Sequence, residues 1–212
     1  KRRRAEAMEA GRRLGVTYKV LENHDGELLA TLDLRKEVIR LIRQWNADIV
    51  IGPRPYDYHP DHRNAAIVIQ DAAYMVIVPN VVSDTPPLKK NPLFLYKQDR
   101  FMKPYPFKPD ITIDITDVID QKILAMTAHE SQYFEWLPWT SSIEAPSDEK
   151  ERVQWLKIFR ELPITPSIRE SLVKWYGEEV GNSITAAEAF EICEYGKQPT
   201  EEEIRELFPM LK

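Results

Sequence analysis

The sequence is poor in several things that would define a function class at once. It has one cysteine, Cys193, among 212 residues. That excludes an internal disulfide and a cysteine-rich zinc site, and it fits the cytoplasm. No apolar run approaches the roughly 20 residues of a membrane-spanning helix, and the opening residues do not read as a signal peptide. Basic excess is also missing: the net charge is −5 and the pI about 5.5, which argues against a nucleic-acid partner. The one basic cluster, Lys1 to Arg4, reads as a solvated helix start. There is no P-loop, no G-x-S-x-G elbow and no H-E-x-x-H.

What is present builds a core. Apolar residues make up 43% and charged residues 30%, as in an ordinary globular chain. The opening K-R-R-R-A-E-A-M-E-A-G-R-R-L-G-V reads as a helix with Ala7, Met8, Gly11 and Leu14 on one face and Gly15 as its stop. A chain that opens inside a helix points to a further segment upstream. Val16 to Leu21 reads as a strand and residues 23–28 as a polar turn around Gly26. Leu34, Val38, Leu41, Ile42 and Trp45 have helical spacing; A-D-I-V-I-G is a short buried strand; a second helix runs from Asn64 to about Val78. This alternation predicts a parallel α/β sheet.

A proline-rich loop follows, then strands at L-F-L-Y-K and D-I-T-I-D-I, and a helix over T-D-V-I-D-Q-K-I-L-A-M-T-A-H-E-S-Q-Y-F-E-W capped by Asp117. Residues 138–146 read as irregular. Beyond them the pattern is helical throughout: D-E-K-E-R-V-Q-W-L-K-I-F-R-E-L, P-S-I-R-E-S-L-V-K-W-Y-G, T-A-A-E-A-F-E-I-C-E-Y-G and T-E-E-E-I-R-E-L-F, with caps at Asp148, Thr165, Thr185 and Thr200. The expected architecture is an α/β domain over residues 1–146, Rossmann-like with a three-layer parallel sheet. A helical C-terminal extension over 147–212 packs on it.

Chemistry concentrates between the strand A-D-I-V-I-G and its following helix. His59 and His62, two of four histidines, stand there with Asp57 and Asp61. In open α/β sheets, sites form beyond the carboxyl ends of strands. Pro60 suits the first helical position, which places His59 at the helix mouth in extended backbone. His62 then falls in the first turn, where the helix dipole disfavours imidazolium and a neutral, metal-ligating imidazole is at home. His59, flanked by Asp57 and Asp61, suits an acid or oxyanion donor. Capping alone also gathers such residues at helix starts, and H-x-x-H by itself leaves that reading open.

R-P-Y-D-Y-H-P-D-H-R-N-A-A resembles the second signature of the LmbE / PIG-L family of zinc-dependent N-acetylglucosamine-type deacetylases. R-R-R-A-E-A-M-E-A-G-R-R-L-G-V resembles the family's R-x-x-E-A helix, E-N-H-D-G-E-L its aspartate loop, and A-M-T-A-H-E-S-Q its A-x-x-x-H-x-S-Q helix end. The tail A-E-A-F-E-I-C-E-Y-G-K-Q-P-T-E-E-E-I-R-E-L-F-P resembles an extension found in part of the family. The resemblance implies His62 as a ligand of Zn2+ or another divalent metal, His59 as general acid or oxyanion stabiliser, and Asp61 as the carboxylate that orients it. It implies Arg3 and Asp25 as sugar contacts, and Arg54, Tyr56, Tyr58, His129 and Gln132 as pocket residues. For Arg54 a surface ion pair competes with anion binding, and for His129 a structural helix-end role competes with a ligand role. The family's first signature, A-H-P-D-D, which supplies two further ligands and the general base, does not occur in these residues. The expectation is an incomplete first strand and helix, and a parent protein that removes an N-acyl group from a small-molecule amino sugar. A catalytically inactive carbohydrate-binding relative is the alternative, and a homo-oligomer is left open.

Overall fold

A computed structural model of the chain describes residues 1–159 and 162–211. It forms two compact units, Lys1–Glu22 with Ile115–Pro163, and Asn23–Asp114 with Ile164–Lys212.

The second unit carries the sheet. Helix α2 (Leu32–Trp45) starts where the Thr31 side chain accepts the Leu34 amide and stops at Asn46, in the left-handed region. Strand β1 (Ile49–Gly52) follows, then α3 (Pro60–Met75), β2 (Leu93–Lys97), β3 (Ile111–Asp114), α7 (Pro166–Tyr176), α8 (Glu178–Ser183), β4 (Ala187–Ile192) and α9 (Glu201–Leu207). The strand order is β1-β2-β4-β3. β1 and β2 are parallel, whereas β4 runs antiparallel to both of its neighbours. The sheet is therefore mixed rather than parallel.

β4 also corrects the reading of the C-terminal segment as wholly helical. A-E-A-F-E-I has helix-forming alanines and glutamates, but its backbone completes ladders with β2 and β3, and tertiary pairing overrides local propensity. Thr185 therefore caps no helix. The caps expected at Thr165 and Thr200 form, the latter as a capping box with Glu203. Ile39, Ile42, Ala72, Ala73, Val76, Phe94, Tyr96 and Cys193 make one buried cluster from α2, α3, β2 and the β4 end. α7 is fastened to β3 by polar contacts: Trp175 Nε1 donates to the Asp110 carbonyl (2.9 Å), and Asp114 N donates to the Tyr176 hydroxyl (3.0 Å).

The first unit contains α1 (Arg2–Leu14), α4 (Ile119–Met126), a π-helical turn (Ser131–Trp136), α5 (Leu137–Ser141) and α6 (Glu149–Phe159). α1 ends at Gly15, as read, but buries Glu6, Ala7, Ala10 and Gly11 while Met8 and Leu14 stay exposed. Val16–Leu21 is not a strand. It lies along α1, with the Val16 amide on the Gly11 carbonyl and Tyr18 Cβ 3.0 Å from where a Gly11 Cβ would sit. The single helix expected after Thr116 is broken into a 3-10 turn (Thr116–Val118), α4 and the π-turn, and Asp117 makes no cap. Asp148 caps α6 by accepting the Lys150 and Glu151 amides; its predicted residues Arg160 and Glu161 lie outside the described residues. Among the described residues no helix is long and apolar enough to cross a membrane.

The proline-rich loop after α3 is held by arginines of α2: Arg40 pairs with Asp84, and Arg43 takes backbone carbonyls. Arg43 of α2, 5% exposed, donates from Nε to the Val76 carbonyl, from Nη1 to those of Val81, Val82 and Thr85, and from Nη2 to those of Met75 and Val78, at 2.7 to 3.0 Å. Val82 adopts φ +52°, a costly value for a β-branched residue, and its carbonyl is one of those six. Arg43→Met leaves the Val81 and Thr85 carbonyls without a described partner, while the other four keep a backbone amide. The expected loss in urea unfolding is about 1–3 kcal/mol for each orphaned carbonyl. Arg43→Lys recovers only a small part, because an ammonium cannot reproduce the planar fork.

Candidate functional site

The site is built at the mouth of α3, one loop beyond β1. His59 is the N-cap, with extended backbone (φ −86°, ψ 128°), and Pro60 occupies the first turn. The His59 Nδ1 accepts the Asp61 amide at 3.2 Å. An accepting Nδ1 carries no proton, so a neutral His59 has its N–H at Nε2. The His59 amide donates to Asp57 Oδ1 (2.8 Å), and the same oxygen lies 3.0 Å from His62 Nδ1. Asp57 Oδ1 thus stands beside both histidines, whose ring centroids are 4.8 Å apart. Tyr58, three-quarters exposed, stands edge-on to both, at 5.9 and 6.0 Å.

Asp61 makes a second contact besides the one at His59. Its carboxylate accepts the Gly26 amide (2.7 Å) and the Leu28 amide (3.2 Å), which ties the aspartate loop to the helix mouth. Gly26 sits at φ +83°, which favours glycine. Asp61 therefore orients His59 through its backbone N–H as well as standing beside it. Two residues that sequence reasoning does not single out complete the frame. Asn64 accepts the Ala30 amide, and Arg63 donates to the Asp57 and Tyr58 carbonyls (2.7 and 2.9 Å). Their signal was only their place in the first turn.

Asp25, exposed in that loop, is brought to His59 and Asp61: one ligand-type atom from each lies within 4.8 Å of the others. Two donors of that trio, His59 Nδ1 and the Asp61 carboxylate, are already engaged by amides. His62, with Nε2 unengaged in the described contacts and a carboxylate on its other nitrogen, has the chemistry of a metal ligand.

Arg54 is placed otherwise than expected. It is 1% exposed; it forms a two-pronged pair with Asp99 (2.8 and 2.6 Å) and donates to the Phe101 and Tyr105 carbonyls. Nearby Glu191 is pushed up by burial, against the Lys108 amide and the Arg54 charge. Arg54 thus holds the 99–105 loop and presents no donor to a soluble anion.

Arg3 and His129 belong to the other compact unit. Arg3 is exposed on α1. Next to His129, Ser131 opens the π-turn, donating its amide to Glu6 Oε1 (3.0 Å) and its hydroxyl to Oε2 (2.6 Å). Burial alone would raise the Glu6 carboxyl, but those two bonds with Arg2 and Arg3 hold it below its usual range. The glutamate of R-x-x-E-A and the serine of H-x-S-Q are therefore one contact.

A family model described as GlcNAc-PI de-N-acetylase, PIG-L, matches residues 1–73. Diacetylchitobiose deacetylase of Thermococcus kodakarensis is 31% identical over 156 residues, 67% of this chain. The chain belongs to the PIG-L (LmbE-like) family. It spans about half the length of that curated relative, 55%. A solved N,N'-diacetylchitobiose deacetylase from Pyrococcus horikoshii, in complex with an inhibitor, superposes with TM-score 0.61 at 26% identity. That match covers 92% of this chain and 64% of the other. At 21% identity, 4-carboxy-2-hydroxymuconate hydratase from Pseudomonas putida (TM-score 0.63; 94% and 73% covered) shares the fold. The PIG-L signature residues thus fall on α1, the aspartate loop and the α3 mouth, within the matched segment.

Burial first, then the Arg3 charge, keeps the His129 imidazole below its ordinary value of 6.5, with Glu6 opposing. A neutral folded-state histidine contributes stability that is complete above pH 6.5 and lost as the pH falls through the folded value. The melting temperature should therefore decline on acidification below about pH 6.5, and His129→Gln should reduce that slope in a series of thermal melts.

Proposed function

We propose that the protein containing this chain is a metal-dependent amidohydrolase that removes an N-acetyl group from an amino sugar or sugar conjugate. The observation that carries the proposal is the pair of histidines at the α3 mouth, with ring centroids 4.8 Å apart and carboxylates of Asp57 and Asp61 beside them. The names of its relatives, which act on N-acetylglucosamine-type amides, supply the substrate class. His62 would hold the metal through Nε2, and zinc is the ion we favour for an imidazole ligand. A bound ion of this kind supplies Lewis-acid polarisation of the amide carbonyl.

The chain's own residues do the rest. His59 holds a proton at Nε2, where it donates a hydrogen bond to the oxyanion that develops as the amide carbonyl becomes tetrahedral. The Asp61 amide keeps the His59 ring turned that way, and the Asp61 carboxylate fixes the loop that bears Asp25. Asp25, and Arg3 on α1, are assigned to sugar hydroxyls, with Tyr58 as an aromatic wall. His129 is kept in a supporting role beside the Glu6–Ser131 contact. We place the protein in the cytoplasm on its single unpaired cysteine, which is buried.

The second reading is a catalytically inactive carbohydrate-binding relative of the same fold. Zinc content and acetate release from an N-acetylated chito-oligosaccharide separate the two. In the full-length protein His62→Ala should lose bound zinc and turnover together. His59→Ala should keep the metal while kcat drops about 10²–10³-fold. A His62→Ala protein that stays metal-replete and active refutes the assignment.

A further inference from the structure

Two neighbouring parallel strands lead into one ion pair. Arg54 stands two residues beyond the end of β1 and Asp99 two residues beyond the end of β2. The Arg54 side chain is fully buried and that of Asp99 is 15% exposed; they meet at 2.8 and 2.6 Å. Both backbone groups of Phe101 are caught by this pair. Its amide donates to Asp99 Oδ1 (3.0 Å), and its carbonyl accepts from Arg54 Nη2 (2.9 Å). The guanidinium also lies 5.3 to 6.0 Å from the ring centroids of Tyr56, Tyr105 and Phe107, so aromatic faces from both loops surround it. Fastened in this way, the loops meet ring to ring: Tyr56 with Tyr105 at 5.5 Å, and Tyr58 with Phe101 at 6.3 Å. Tyr58 in turn stands edge-on to His59 and His62.

We propose that Arg54 and Asp99 are positioning residues of the site: they hold the Phe101 ring against Tyr58, which makes Tyr58 a preformed wall for a sugar ring of the substrate. The inference rests on the reading of the α3 mouth as an amino-sugar site and adds what makes its aromatic wall rigid. Tyr58 is three-quarters exposed. A side chain so exposed, left to itself, is ordered only when a ligand arrives, and affinity falls accordingly. Phe101 packs on Tyr58 before any ligand is bound, and it cannot turn away while its amide and its carbonyl are both held. Arg54 touches no substrate, because its nitrogens are engaged by Asp99 and by the Phe101 and Tyr105 carbonyls. The wall acts on the bound sugar and not on the reacting carbonyl, so its effect falls on KM and leaves kcat alone.

The test uses the full-length protein with Phe101→Ala, Phe101→Tyr, Arg54→Lys and the double variant Arg54→Lys/Phe101→Ala. Acetate release from an N-acetylated chito-oligosaccharide gives KM and kcat, and nuclear Overhauser effects report the Phe101–Tyr58 ring contact. Phe101→Ala should raise KM about 3–10-fold with kcat and zinc content unchanged, and Phe101→Tyr should restore it. Arg54→Lys, which keeps the charge but loses the fork, should weaken the ring contact and raise KM by a similar factor. The double variant should be no worse than Phe101→Ala alone, since Arg54 acts through Phe101; a merely structural arginine would add its own penalty. An unchanged KM in Phe101→Ala, additive penalties, or no Phe101–Tyr58 contact in the wild type overturns the proposal. Should Arg54→Lys fail to fold, the wild-type contact and the Phe101 pair decide alone. If the wild type releases no acetate, the deacetylase reading fails. The wall is then judged by the dissociation constant for the same oligosaccharide, where Phe101→Ala should lose the same factor and an unchanged constant overturns it.

Discussion

Irregular backbone must be hydrogen-bonded, and in this chain charged side chains meet that demand. The strands are short, four to six residues, and long loops run between them. An amide or carbonyl left without a partner inside a protein costs about 1–3 kcal/mol, so a loop of this length has to be fastened group by group. Arg43 takes six carbonyls of the segment after α3, and Arg54 takes two from the 101–105 loop. Asp61 takes two amides of the aspartate loop, Glu191 the Lys108 amide and Asp110 the Ile192 amide. The α3 mouth is one case of this general device, in which the fasteners are also the reactive groups.

That dual use explains why some of the site is legible in the sequence and some is not. Pro60 fixes the helix start from its own chemistry, so the extended His59 and the first-turn His62 follow from local rules. Which nitrogen His59 exposes does not, because it is set by the direction of the Asp61 amide two residues on. Arg54 shows the same limit from the other side. An arginine next to tyrosines in a histidine-rich loop looks like an anion binder until its partner, Asp99, is placed 45 residues on. The elements misread are those in which long-range pairing outweighs local preference. β4 is made of good helix formers but fills the gap between β2 and β3, while Val16–Leu21 has strand composition but packs along α1.

The fold by itself does not select the chemistry. A hydratase shares it at a similar TM-score to the deacetylase, so architecture accounts for where a site forms and leaves open what it does. What distinguishes the present site is local: two imidazoles under 5 Å apart, one capped by an amide and the other paired with a carboxylate. That arrangement suits a reaction in which a carbonyl must be polarised from one side and its developing charge met by a donor from another.

The Asp61 amide at His59 Nδ1 also bears on the form of that ring. A protonated ring there would have to give up the Asp61 amide, since Nδ1 cannot both accept that hydrogen bond and carry a proton. Losing the amide would uncap α3 at the position where its helix dipole already disfavours a cation. A neutral His59 keeps the cap and still offers Nε2–H, which is all an oxyanion requires in the first half of an acyl transfer. The cap therefore makes His59 a hydrogen-bond donor at Nε2 in its resting state.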